Sequence, residues 1–145
     1  VLSGLNASFV DVGYEKDGFL HYHDLGPQYL TQLKFTKQVI SGRLKNYALK
    51  DIKTEKDLEK SGAITDVIAP NQPVLVQVVK EPISTKGPRL SAELSIPGRY
   101  VVLVPFSDRI SMSQKIEDRE EKSRLKRLVK SIKPEGFGVI VRTVA

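Results

Sequence analysis

The chain has 145 residues, with 23 Lys and Arg against 17 Asp and Glu and no cysteine. The absence of cysteine excludes disulfides, thiolate catalysis and cysteine-based zinc sites, and it fits the cytoplasmic location that we expect. The longest apolar runs, 100–106 and 139–141, are too short to span a bilayer. The net charge of +6 favours a polyanionic partner such as a nucleic acid.

Alternating apolar residues near the amino terminus predict short β-strands at 1–2, 7–12 and 19–22. Glycines bound the loop at 13–18, which predicts a hairpin between the last two of these strands. Strands paired in this way bring Phe9 and Phe19 together on one face of a sheet. The two rings would then be either exposed platforms for unpaired bases or ordinary core residues.

The middle of the chain changes character before strand patterns return. Residues 28–69 are rich in charged and amide side chains, with weak helical periodicity only around 47–58. We interpret this segment as a polar insertion that is part helix and part mobile loop. Strands are predicted again at 73–80 and 89–96. Together with the first three they predict a five-stranded OB-type Greek-key barrel over residues 1–97.

Residues 98–145 have a different order, in which a strand at 100–105 is followed by a helix and a strand at 138–144. Ser113 is the predicted helix N-cap, and Pro134 with Gly136 ends the helix. The residues at helical spacing that should form its buried stripe are Leu125, Leu128, Val129 and Ile132. This β-α-β order predicts a second, partial α/β unit, so the fold class is β-rich α+β.

Six blocks of sequence, taken in order, resemble the N-terminal half of the ribonuclease E/G family of bacterial endoribonucleases. They lie at 1–13, 18–20, 76–81, 85–90, 97–103 and 138–143. Segment 28–69 departs from the family pattern. The resemblance implies that 1–97 is an S-one-type OB domain and 98–145 part of the ribonuclease-H-like subdomain that hosts it. The chain is then expected to be a fragment of a larger protein, which the single methionine, Met112, also suggests.

The resemblance implies roles for eight residues. Phe9 and Phe19 match the base-stacking aromatics of the family, and Lys86 matches a basic RNA contact, with Lys80 as a weaker candidate. A second set matches the family's pocket for a 5′-terminal monophosphate, namely Gly98, Val102, Arg142 and Thr143. A guanidinium and a hydroxyl suit such a pocket because together they can bind several phosphate oxygens.

Catalysis is expected to lie outside this segment. Family members cut RNA with two metal-binding aspartates of a downstream subdomain, and many dimerise around zinc held by cysteines. The resemblance therefore implies magnesium, and possibly zinc, for a homo-oligomeric full-length protein, but no catalytic residue, cofactor or metal site here. Asp11, Asp17 and Asp24 lie among predicted turns, and His21 with His23 is expected at the surface or lining RNA rather than on a metal.

Three functions compete on the sequence. The first is single-stranded RNA binding and 5′-end sensing by a fragment that is inactive alone. The second is a non-enzymatic RNA-binding OB module of a translation or ribosome-associated factor, and the third is a protein-interaction scaffold with Phe9 and Phe19 in an interface. The β-α-β tail favours the first, because a stand-alone module does not need it. We also expect the fragment to dimerise through an exposed sheet edge.

Overall fold

A computed structural model describes residues 1–144 and has an α+β fold, the class that the sequence predicts. The chain divides into two compact units, the first formed by Val1–Leu44 with Glu55–Leu94 and the second by Lys45–Thr54 with Ser95–Ala145. Each unit contains one α-helix and one mixed sheet of four strands. Over the described part of the chain, neither helix has the length and apolar character needed to cross a membrane.

The sheet of the first unit is built around the predicted hairpin. Its strands β1 (Ala7–Val10), β2 (Gly18–His21), β3 (Gln77–Lys80) and β4 (Arg89–Ser91) lie in the order β1-β2-β4-β3. β1 and β2 are antiparallel, β2 and β4 are parallel, and β3 and β4 are antiparallel. The hairpin therefore forms one half of the sheet.

The five-stranded barrel is not confirmed, because the described strands form an open four-stranded sheet. At the amino terminus only an isolated bridge joins Leu2 to Ala7, so no strand forms at 1–2. The predicted strand 89–96 ends early, at Ser91. The Ser91 hydroxyl donates to the Asp24 carbonyl at 3.1 Å and accepts from the Glu93 amide at 3.1 Å, which turns the chain out of the sheet.

Segment 28–69 contains a helix, as expected, but its polar composition is misleading, because the segment contributes buried residues to the core. Helix α1 (Tyr29–Ile40) begins with a fully buried tyrosine, and Ile64 and Ile68 are also buried. These residues belong to one apolar cluster, whose other buried members are Leu20, Tyr22, Leu25, Leu90 and Ala92. The helical periodicity around 47–58 is also misleading, because that stretch forms only the single 3₁₀ turn Leu49–Asp51.

The second unit has the strands β5 (Ile96–Pro97), β6 (Val101–Pro105), β7 (Ile110–Met112) and β8 (Phe137–Val141) in the order β5-β6-β8-β7. β8 is antiparallel to β6 and parallel to β7. Helix α2 (Arg119–Ile132) packs on this sheet through Leu125 and Val129, which form a core with Val139 and Val141. The predicted strand–helix–strand order is therefore present, with the additional strand β7 before the helix.

Two details of α2 differ from the prediction. Its N-cap is Asp118 rather than Ser113, because the Asp118 carboxylate accepts hydrogen bonds from the amides of Glu120 and Glu121 at 2.8 and 3.3 Å. The buried stripe is also narrower than predicted, since Leu128 and Ile132 are 51% and 72% exposed. The helix therefore packs along one line of residues spaced four apart.

Segment Lys45–Thr54 belongs to the second unit although its neighbours on both sides belong to the first. Leu49 packs against Gly136, which has φ +86°. A Cβ at Gly136 would lie 2.6 Å from the Leu49 backbone, so only glycine permits this approach. Gly136, which was predicted to help end α2, therefore also allows a segment that is distant in the sequence to pack against it.

Candidate nucleic-acid interface

Phe9 and Phe19 form an aromatic pair on the sheet of the first unit. They are direct partners in the β1–β2 register, with ring centroids 6.1 Å apart and ring planes at 70°. Their neighbours Ser8 and Leu20 are buried and occupy the other face of the sheet. The two rings therefore lie on the face away from the core, where Phe9 is 52% exposed and Phe19 is partly exposed.

The same line of partners continues across the sheet. Phe19 is opposite Arg89 of β4, and Arg89 is opposite Lys80 of β3. Partners in a regular ladder project to the same face, so Phe9, Phe19 and Arg89 share one face. Lys80 follows as the partner of Arg89 at a register shift in β3, which leaves its face undetermined, and the four residues form one line over all four strands. We call this line the cross-strand row. Sequence reasoning found three of its members but missed Arg89, because the pairing of β4 is not visible in the sequence.

Arg89 is held in the row by an ion pair. Its Nη2 donates to the Asp24 carboxylate at 3.2 Å. Asp24 is itself fixed, since its backbone carbonyl accepts hydrogen bonds from the Ala92 amide at 2.9 Å and the Ser91 hydroxyl at 3.1 Å. The guanidinium therefore has a defined position on an exposed face.

Lys86 lies in the turn between β3 and β4, where it exchanges backbone hydrogen bonds with Ile83 at 2.9 and 3.1 Å. The hairpin loop of β1 and β2 contacts this turn, because Lys16 Nζ donates to the Ser84 carbonyl at 2.8 Å. The approach is closest at Gly87, where a Cβ would lie 2.0 Å from the Asp17 carbonyl oxygen. These contacts bring two lysines, Lys16 and the exposed Lys86, to one end of the first unit.

His21 ends β2, and His23 lies in the turn that follows it. Their ring centroids are 4.8 Å apart, and His21 Nδ1 accepts a hydrogen bond from the His23 amide at 3.1 Å. The nearby Asp24 carboxylate is bound to Arg89. Among residues 1–144, no three His, Cys, Asp or Glu side chains lie close enough together to hold a metal ion.

The predicted 5′-phosphate residues lie in the second unit, at one end of β6 and β8. Arg142 Nη1 donates to the Gly98 carbonyl at 2.8 Å, and the Arg142 amide donates to the Tyr100 carbonyl at 2.8 Å. Val102 is opposite Ile140 of β8, and Arg142 lies two residues after Ile140, just beyond the end of that strand.

Thr143 follows at an exposed position beyond the end of β8. The Gly98 amide already donates to the Val101 carbonyl at 2.8 Å, so this group is engaged within the protein. Phosphate binding at this place would therefore depend mainly on the Arg142 guanidinium and the Thr143 hydroxyl. Arg99, next to Gly98 in the sequence, has its guanidinium 5.3 Å from the centroid of the Tyr100 ring.

Comparison with known proteins gives similarity along the whole chain. Residues 95–145 match the model of the ribonuclease E/G family. The chain is 42% identical over 146 aligned residues to ribonuclease E of Nostoc sp. and 35% identical over 145 to ribonuclease G of Escherichia coli. It is also 39% identical to a ribonuclease E/G-like protein of Porphyra purpurea.

Each of these alignments covers the whole of this chain but only a small part of the relative. The chain spans 17% of the length of the Nostoc protein, 23% of the Porphyra protein and 26% of the Escherichia coli protein. On this similarity, the chain belongs to the ribonuclease E/G family.

Proposed function

We propose that this chain is the part of a cytoplasmic endoribonuclease that binds single-stranded RNA and senses its 5′ end, in RNA processing and decay. The cross-strand row carries the proposal, because it combines two aromatic rings with two cations on neighbouring strands of one sheet. The names of the relatives, ribonucleases E and G, support the enzyme class. In this proposal the first unit corresponds to the S-one-type domain and the second to part of the ribonuclease-H-like subdomain.

The composition of the row suits unpaired RNA better than a duplex. Bases of a single strand can stack on aromatic side chains, and each such stack is worth about 1–3 kcal/mol without regard to sequence. Bases inside a duplex are already stacked and do not present their faces. Lys80, Lys86 and Lys16 would add the salt-dependent attraction of phosphates.

The 5′-end part of the proposal depends on the second unit. Arg142 has a fixed backbone and a guanidinium that is only partly used by the Gly98 carbonyl. The exposed Thr143 hydroxyl follows directly. A terminal monophosphate offers several anionic oxygens to these donors, whereas a 5′-hydroxyl offers none. The site would therefore favour RNA with a monophosphorylated 5′ end.

The second unit and the composition of the cross-strand row distinguish the competing functions. The family match at residues 95–145 falls in the second unit, which a stand-alone RNA-binding module of a translation factor does not require. A protein-interaction scaffold gives no reason for cations to follow the two phenylalanines along the row. Both observations favour the nuclease.

Cleavage itself is assigned to the longer protein. No three possible metal ligands lie close together among residues 1–144, and we derive no catalytic step from them. Magnesium, possibly zinc, and homo-oligomer formation are proposed for the full-length protein from the family. β5 and β7 are the edge strands of the described sheet in the second unit, and pairing of two fragments through such an edge stays a prediction.

The experiment is a titration of fluorescent single-stranded RNA with the chain and its variants. We expect Phe9→Ala, Phe19→Ala and Lys86→Ala each to weaken binding several-fold, because each change removes a stacking surface or a phosphate contact. Lys56→Ala is the matched control, an exposed lysine of the same unit away from the row. Affinities that are unchanged in all three variants would contradict the proposal.

A further inference from the structure

We infer that Arg89 is a third base-binding group of this chain, whose guanidinium, held by Asp24, stacks on the base that follows those on Phe9 and Phe19. The inference rests on the proposed RNA binding. It assigns a direction to that binding, since the RNA would cross the strands from β1 towards β3.

The spacing of the row supports a third base. Neighbouring strands are about 4.8 Å apart, so Arg89 lies one strand beyond Phe19 and about 10 Å from Phe9. The register makes these three residues successive partners on one face. Sheets that bind single-stranded RNA commonly stack two or three bases in this way. A strand that leaves Phe19 in the direction of β4 therefore meets Arg89 next.

The ion pair with Asp24 indicates what Arg89 can bind. The carboxylate balances much of the guanidinium charge, which weakens attraction to a phosphate. It engages the guanidinium through Nη2 in its plane, whereas a base would stack on the faces of that plane. The Arg89 side chain remains 50% exposed, against 26% for Asp24. A fixed, exposed and charge-balanced plane is suited to stacking on a base rather than to holding a phosphate.

Lys80 provides the contrast at the end of the row. It is exposed, and its ammonium is a point charge without a stacking face. We therefore assign the phosphate contact to Lys80 and the base contact to Arg89. The two assignments predict different responses to substitution and to salt.

The test combines variants of the chain with a short single-stranded oligoadenylate in which one nucleotide at a time is abasic. We expect Arg89→Ala to weaken binding of the intact oligonucleotide about tenfold. Arg89→Lys should weaken it almost as much, because lysine restores the charge but not the plane. At one abasic position the effect of Arg89→Ala should disappear, since the base that it contacts is already missing.

Salt titration separates the two kinds of contact. Lys80→Ala should reduce the slope of log affinity against log salt concentration by about 1, the amount expected for one lost phosphate contact. Arg89→Lys should leave this slope unchanged. Arg43→Ala is the matched control, an exposed arginine of the same unit that is not in the row. Circular dichroism of each variant verifies the fold, and Arg89→Gln supplies a neutral side chain of similar length.

The outcomes distinguish this inference from the proposal on which it rests. Wild-type affinity in Arg89→Lys with a reduced salt slope in Arg89→Ala would overturn base stacking in favour of a phosphate contact. Wild-type affinity in Arg89→Ala and Arg89→Gln, with losses in Phe9→Ala and Phe19→Ala, would overturn the role of Arg89 and leave RNA binding intact. Unchanged affinity in the phenylalanine variants as well would overturn the proposed function itself.

Discussion

Tyr29 is the largest side chain fully buried in the first unit, and it stands at the start of α1. Its hydroxyl donates to the Val67 carbonyl at 3.3 Å. Burial raises the pKa of this phenol from 10.0 to about 12, because the charged phenolate would lose its hydration. Ionisation of this one residue in segment 28–69 therefore makes the stability of the core depend on pH.

The stability of the first unit should fall in alkali as a result. Between pH 10 and about 12 the unfolded chain releases the Tyr29 proton while the folded chain retains it. The unfolded state then binds fewer protons, so the free energy of unfolding decreases with rising pH, by about 2–3 kcal/mol over this window.

Urea unfolding at pH 9 to 12 measures this effect, with Tyr29→Phe as the comparison. The variant loses the hydroxyl and should show a flatter decrease over the same window. Parallel curves for the two proteins would show that other groups cause the alkaline loss.

Single residues of the candidate site were predictable to different degrees. The alternation around Phe9 and Phe19, with a glycine-bounded loop between them, predicts their pairing from local sequence but leaves open whether their shared face is exposed. Arg89 was not predictable, because its position depends on parallel pairing with a strand about seventy residues away in the sequence and on the carboxylate of Asp24. Such long-range contacts leave no periodic signal.

At the scale of elements, α1 shows why composition misleads. Its buried residues include Thr31 and Gln32 as well as Tyr29. The side-chain amide of Gln32 donates to the Leu75 carbonyl at 2.7 Å, and the Thr31 hydroxyl accepts from the backbone amide of Glu55 at 2.9 Å. Polar side chains that satisfy distant backbone groups can be buried, so a polar segment is not necessarily a surface loop.

The contact between the hairpin loop and the β3–β4 turn supplies a test at this scale. Gly87→Ala should destabilise the chain by about 1–3 kcal/mol, because the new methyl group overlaps the Asp17 carbonyl and forces backbone apart. RNA affinity should fall as well, since the neighbouring Lys86 is displaced.

Denaturant unfolding and RNA titration of the same variant measure both effects. Gly4→Ala is the control, since a Cβ at Gly4 meets nothing within 4 Å. Equal stability of the two variants would mean that the loop and the turn separate without cost.

The whole-molecule prediction concerns the full-length enzyme. Arg142→Ala should reduce its preference for 5′-monophosphorylated over 5′-hydroxylated RNA by about tenfold, since charge-assisted hydrogen bonds are worth about 1.5–3 kcal/mol. Cleavage rates on matched substrates give the ratio. Arg127→Ala, an exposed arginine on α2, controls for a loss of positive charge. An unaltered ratio would exclude Arg142 from 5′-end recognition.

The sequence allowed the class of the fold and most strands to be predicted, but not how the strands are shared between sheets. The residues predicted as one strand at 89–96 are divided between β4 in the first sheet and Ile96 of β5 in the second. Both stretches have β propensity, and propensity carries no information about the partner strand. Helix α2 was predicted because apolar spacing and the stop at Pro134 with Gly136 are local signals, although its N-cap and the width of its buried stripe were predicted wrongly.

The packing of Leu49 against Gly136 has a practical consequence for any attempt to express the two units separately. The backbone passes from one unit to the other after residues 44, 54 and 94. A gene fragment that stops at residue 97 would encode segment 45–54 without Gly136 or the strands with which that segment folds. One that starts at residue 98 would lack the segment altogether. Truncation at a single point therefore cannot isolate either unit with all of its own residues and no others.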